Sequence, residues 1–153
     1  MRPVRLARVS NPYGVPGNYS AGVHTGVDFA ALWGTSIFRR FARSVDGGVV
    51  IVSGYDQSYG NWVVVRSNDG GGAYVHGYCH LDSRNVRVGN RVQRGSILGR
   101  VGTTGNSTGY HCHYFENPGA SYSYSRHRRP RHCWGRTWPK IRRAMRRRRR
   151  RNR

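Results

Sequence analysis

Acidic side chains are scarce in this sequence: there are six among 153 residues, against 27 lysines and arginines. Lysine is close to missing, so nearly every cation is an arginine. No apolar stretch approaches the roughly 20 residues that a membrane span needs. The opening MRPVRLAR carries charge but lacks the apolar run of roughly 7–15 residues found in a secretory signal. On this reading, a chain that acts outside a cell is delivered by other means. The three cysteines, Cys79, Cys112 and Cys133, cannot all pair within one chain, and no spacing resembles a disulfide framework or a Cys-x-x-Cys zinc ribbon. A largely reduced protein is expected, with a Cys79–Cys112 bridge left open. Helical periodicity is hard to find before residue 137. There, Thr137 as a cap and Pro139 in the first turn predict a short helix through Met145.

Glycine is abundant instead, at 21 of 153 residues, about twice the usual share of roughly 7%. Without a collagen repeat, that excess points to tight turns between short strands. The length suits one domain and a modest core. Residues 10–22 are turn formers and small polar groups and predict a loop. Strand candidates follow at 49–52 (VVIV), 62–65 (WVVV), 73–81 (AYVHGYCHL), 86–92 (VRVGNRV), 97–101 (ILGRV) and 110–115 (YHCHYF). The fold class expected is all-β, a small antiparallel sheet domain over residues 1–125. Charge sets that boundary. Residues 1–125 hold twelve arginines against all six acids, a net +6, and residues 126–153 carry the other +15.

Four of the seven histidines sit where chemistry is plausible. In His111-Cys112-His113 strand alternation projects both imidazoles to one face and Cys112 to the other. In His24-Thr25-Gly26-Val27-Asp28 the glycine and the β-branched residues argue against a helix, and Gly26 lets the backbone bend so that His24 and Asp28 converge. A catalytic zinc site has three protein ligands and one open position. His24, Asp28 and His113 make such a set. Parity places His80 opposite Cys79. If its strand lies beside that of His111, His80 and His111 share one surface, with Cys79 and Cys112 on the other, and the two rings can take a proton from water on the metal and stabilise an oxyanion. His76 falls on the same parity but reads as structural. Glu116 falls on the face opposite His113 and is not assigned as a base. His127 and His132 read as solvated tail. The loop 102–109 resembles a phosphate loop, but no Gly-Lys-Ser/Thr follows and nucleotide binding is rejected.

Together these stretches resemble the lysostaphin-type, LytM-like zinc endopeptidases. The matching pieces, in order, are NPYG (11–14), GVHTGVDFA (22–30), DGGVV (46–50), YGNW (59–62), YCHL (78–81), VRVGNRVQRG (86–95), the segment 99–109 and HCH (111–113). The resemblance spans about Asn11 to Glu116. It implies a β domain with a groove floored by an antiparallel sheet, zinc held by His24, Asp28 and His113, catalysis by His80 and His111, and a substrate in the peptides of bacterial peptidoglycan. Three departures stand out: Cys112 replaces the usual Leu, Phe115 stands where Glu is common, and 38–44 (FRRFARS) is longer and more basic than usual. The arginine run Arg146, Arg147, Arg148, Arg149, Arg150 and Arg151 is expected to anchor the protein to anions, since guanidinium pairs bidentately with phosphate. Anionic envelope polymers or lipids are favoured as its partners over nucleic acid. A wall hydrolase without a signal segment suggests a phage lysin, released through holin lesions or carried in the virion. Two other functions fit the composition: a nucleic-acid packaging protein acting through its tail, and a zinc-stabilised wall-binding module without turnover.

Overall fold

The computed structural model describes residues 1–134, so the helix expected at 137–145 and the arginine run lie outside the described residues. Nine strands form: β1 (Ala7–Asn11), β2 (Val27–Ala31), β3 (Phe41–Arg43), β4 (Gly48–Asp56), β5 (Gly60–Asn68), β6 (Ala73–Arg84), β7 (Arg91–Val92), β8 (Ile97–Val101) and β9 (His111–Pro118). Among the described residues the only helical element is one 3₁₀ turn, Tyr124–Arg126. No described helix is long and apolar enough to cross a membrane. The strands run in the order β1-β2-β9-β6-β5-β4-β7, with β8 pairing β6 and carrying β3 on its other edge. Every pairing between them is antiparallel.

The valine-rich runs of β4 and β5 form the longest hairpin, as β-branched side chains favour a pleated surface. Between β5 and β6 the chain reverses through Gly70 and Gly72, both at positive φ, which only glycine adopts without steric cost. The segment 86–92 delivers only a two-residue strand, because Gly89 at φ +91° and Asn90 turn the chain there.

The sheet is apolar on both faces. Cys112 and Tyr114 of β9 point into the main core with Phe29, Tyr78 and Leu81; Phe115 points the other way, into a smaller cluster with Val64, Val75 and Cys79. One expectation from parity fails here. Cys79 pairs directly with His113 across the ladder and so shares its face, not that of Cys112. The cause is an irregularity in β6: its register to β5 slips between the Val63–Tyr78 and Asn61–Leu81 pairs, and His80 takes a left-handed φ of +60°. The slip turns His80 onto the face that already holds Cys79. Cys79 and Cys112 therefore stand on opposite faces, and all three cysteines are free and buried.

Past Ser125 the chain stays on the domain. Cys133 is buried in the main core and Trp134 packs against it. His132 is not solvated: it stacks on Tyr74 and pairs with Glu116 and Asp69. His127 likewise bonds to the Tyr13 hydroxyl at 2.9 Å.

Candidate metal centre and active-site cleft

Strands β2 and β9 pair with Asp28 opposite His113, which sets two of the proposed ligands side by side by register alone. His24 arrives from the loop before β2, through Gly26. A Cβ at Gly26 would come within 2.8 Å of His113 Nε2 and overlap the Tyr114 carbonyl oxygen, so this approach requires glycine. Three atoms converge as a result. His24 Nε2 lies 3.0 Å from His113 Nδ1, His113 Nδ1 lies 2.9 Å from Asp28 Oδ1, and His24 Nε2 lies 3.2 Å from that same oxygen. No other group of three or more His, Cys, Asp or Glu side chains among the described residues comes together in this way.

The protonation pattern bears on what belongs at that point. His24 Nδ1 stands 3.1 Å from the Pro12 carbonyl, which can only accept, so Nδ1 carries a proton and Nε2 is the atom turned inward. Burial would lower the pKa of this ring, but the facing Asp28 carboxylate outweighs burial and raises it. Asp28 is a carboxylate: burial alone would raise its pKa, but the hydrogen bonds from His113 and His24 outweigh burial and hold it well below the usual range. Burial lowers the pKa of His113 despite Asp28, so that ring is neutral. Its Nε2 is buried without a partner. Three atoms able to donate an electron pair crowd within hydrogen-bond distance, bridged in the absence of a cation by protons that metal binding would displace. A cation resolves that crowding. The ligand atoms of a tetrahedral zinc with arms of about 2.0–2.1 Å lie roughly 3.3 Å apart, close to the spacing found. The donor set, two imidazoles and one carboxylate, fits zinc.

Two further imidazoles stand at the mouth. His111 Nε2 is 3.7 Å from Asp28 Oδ1, and the His80 and His111 rings are 4.7 Å apart. Each ring donates its Nδ1 proton to a carbonyl of the 102–109 loop, His80 to Thr104 and His111 to Gly109, both at 2.8 Å. With Nδ1 committed as donor, Nε2 is the nitrogen that each ring turns to the mouth. Burial is the main cause that pushes the His80 pKa down to about 4, with His111 adding to it. The backbone of the loop sets histidine tautomers, a role that side-chain patterns do not advertise.

The five residues line an open cleft of about 350 Å³, together with Tyr19, Tyr59, Tyr124, Asn106 and Ser107. The tyrosines escaped the sequence reading because they come from three separated segments. His76 is elsewhere, fully buried between Ser67 and Tyr78, with its pKa pushed down to about 3 chiefly by burial. Glu116 lies on the opposite face of the sheet, as parity required.

Residues 22–122 match peptidase family M23. The chain belongs to that family. Among its M23 relatives, the DD-carboxypeptidase/endopeptidase Mpg of Neisseria meningitidis serogroup B is 36% identical over 117 residues, covering 74% of this chain and 25% of Mpg. The peptidoglycan DD-endopeptidase ShyC of Vibrio cholerae is 36% identical over 118 residues, covering 73% of this chain and 25% of ShyC. The chain thus spans about a quarter of the length of these curated relatives. In fold, the catalytic domain of the antimicrobial peptidase lysostaphin from Staphylococcus simulans superposes with a TM-score of 0.71 at 30% identity, over 81% of this chain and 89% of that one. The lysostaphin-type fold expected from the sequence, a β domain with a groove, is the fold observed.

Proposed function

We propose that this M23 domain is a zinc-dependent endopeptidase that cleaves peptide bonds of bacterial peptidoglycan, in stem peptides or cross-bridges. One observation carries the proposal: three electron-pair donors meet at a point in an open cleft, with two inward-facing imidazole nitrogens beside them. His24, Asp28 and His113 are assigned as zinc ligands, and His80 and His111 as catalytic. Zinc supplies Lewis acidity, lowering the pKa of a water towards about 7 and polarising the scissile carbonyl. His111 Nε2, the nearer to Asp28, accepts the proton of the attacking water and returns it to the leaving amine. The Gly109 carbonyl on its Nδ1 holds the ring and stabilises the imidazolium that forms. His80 has its Nδ1 committed to Thr104 and a pKa held low, so its Nε2 suits an acceptor that orients the water better than a donor to the oxyanion. Peptidoglycan as substrate is supported by what the relatives are named for.

The proposal extends to the arginines outside the described residues, Arg146 to Arg151, as an anchor for anionic envelope polymers or lipids. It also extends to delivery as a phage lysin that acts at the bacterial wall. Efficient Sec-dependent export of this chain would overturn the delivery part.

The decisive experiment pairs metal content with hydrolysis of purified peptidoglycan. His113→Ala is expected to lose both zinc and activity. His111→Ala is expected to keep stoichiometric zinc and lose on the order of 10²–10⁴-fold in rate. Full hydrolysis by metal-stripped protein would sink the reading.

A further inference from the structure

A second concavity, of about 290 Å³, holds no carboxylate or nucleophile and is lined by Arg5, Arg39, Arg40, Phe41 and Arg43. The fold gathers these arginines deliberately enough to trace. Strand β3 pairs with β8 so that Phe41 faces Arg100, and alternation puts Arg43 on the same face. The turn that carries Arg5 is fixed to the other edge of β3, through the Val4–Ala42 bridge and the bond from Arg43 N to Pro3 O at 2.8 Å. The guanidiniums of Arg100 and Arg43 lie over the Phe41 ring, at 4.5 and 5.3 Å.

Their partners leave the charge in place. Arg43 donates to the Gly95 carbonyl at 3.0 Å, and Arg100 to that of Arg39 at 3.0 Å. Each guanidinium has five N–H donors, so one bond to a carbonyl leaves most of them available. Only Arg39 has a carboxylate, Asp82 at 3.3 Å, and that pair is substantially exposed. Cations held mainly by carbonyls and a π-face, with one exposed carboxylate among them, keep a net positive field over the concavity. The same segment runs towards the cleft: Phe38 packs at a tilt against Tyr110, the residue before His111, with ring centroids 4.6 Å apart.

We infer that this concavity binds the phosphodiester groups of an anionic polymer of the bacterial wall, holding the wall against the adjoining cleft. The choice of a wall polymer rests on the hydrolase reading; the choice of a phosphate-bearing anion rests on the guanidiniums alone. Single-stranded nucleic acid binding needs open aromatic platforms for base stacking. Here Phe41 is covered by guanidiniums, and the exposed Phe38 and Tyr110 pack against each other at the rim and do not line the concavity, so the concavity itself offers charge without a stacking platform.

The test follows arginine Nε–Hε resonances of the full chain while poly(glycerol phosphate) is added, with Arg5→Gln/Arg39→Gln as the variant. Saturable shifts are expected at Arg39, Arg40 and Arg43. In the variant, binding should weaken on the order of tenfold at low salt, and the log–log salt slope should fall by about one to two if this polymer releases counterions as DNA does. The variant should also clear polymer-bearing walls more slowly than the parent, yet digest walls stripped of polymer at the parental rate. Shifts confined to arginines beyond residue 134, or parental rates on both walls, would overturn the inference. So would a duplex DNA that saturates the patch at lower phosphate concentration than the polymer. A parent protein that cannot digest stripped wall counts against the hydrolase reading alone, because the resonance titration needs no turnover.

Discussion

A methyl group at position 26 would stand 2.8 Å from His113 Nε2 and overlap the Tyr114 carbonyl oxygen, and neither neighbour gives way cheaply. The carbonyl belongs to the backbone of the β2–β9 ladder, and the His113 ring is stacked towards Tyr59. Gly26→Ala is therefore expected to swing His113 away from His24 and Asp28, lowering zinc stoichiometry and costing about 1–3 kcal/mol of stability. Metal analysis and a urea melt would check this, and a variant with full zinc and an unchanged midpoint would contradict it. At this scale the site was largely legible. His24, Asp28 and His113 are residue types that a metal or a shared proton brings together, and with six acids in the chain an Asp four residues after a His stands out. The carbonyls of Pro12, Thr104 and Gly109, which fix the tautomers, were not legible, because any residue supplies a carbonyl and only the folded path says where it points.

The segment 127–134 has only one β-bridge, Arg128 to Glu116, by way of secondary structure, and Glu116 holds it. This fully buried carboxylate accepts from the Tyr114 hydroxyl at 2.9 Å, from the backbone N–H of Arg131 at 3.0 Å and His132 at 2.8 Å, and from His132 Nδ1 at 3.2 Å. Burial would raise the Glu116 pKa from 4.5, but the hydrogen bonds of His132 win and lower it. Glu116 in turn raises that of His132 from 6.5, against burial. The lowered carboxylate stabilises docking above its unfolded pKa, and that contribution is lost as pH falls through the folded value. The raised imidazole stabilises docking below its unfolded pKa, and that contribution is lost as pH rises through the folded value. Docking is thus tightest between about 4.5 and 6.5. Protection of the Arg131 and His132 amides, corrected for intrinsic exchange, should peak in that window and flatten in Glu116→Gln. A Glu116→Gln profile matching the parent's would refute the latch. The elements themselves were readable where β-branched residues cluster, as in β4 and β5, and where His-x-His alternation runs into aromatics, as in β9. The short edge strands β1 and β3 were not, being built of small and charged residues around one or two apolar ones. Nor was the slip in β6, since no glycine marks it and His80 itself takes the left-handed turn.

At the scale of the whole molecule, charge and fold divide at different places, and truncation can tell them apart. Composition alone puts the boundary after Ser125, yet Cys133 is buried in the main core and Glu116 is satisfied from residues 128–132. Ending the chain after Ser125 would leave Glu116 a buried charge without cations or amides, a loss of about 3–5 kcal/mol, and would open the core where Cys133 sits. Ending it after Trp134 removes eleven basic residues and no acid, leaving sixteen basic against six acidic. That shorter cut should keep the unfolding midpoint and the rate on small soluble wall peptides. It should lose most of the salt-sensitive retention on intact walls, since counterion release scales with the number of cations engaged. Comparing both truncations with the full chain, by thermal melt and by wall retention against ionic strength, separates an anchor from a structural segment. If the cut after Trp134 leaves retention and its salt slope unchanged, the terminal arginines do not hold the wall, and the folded arginines around Phe41 must carry whatever retention remains.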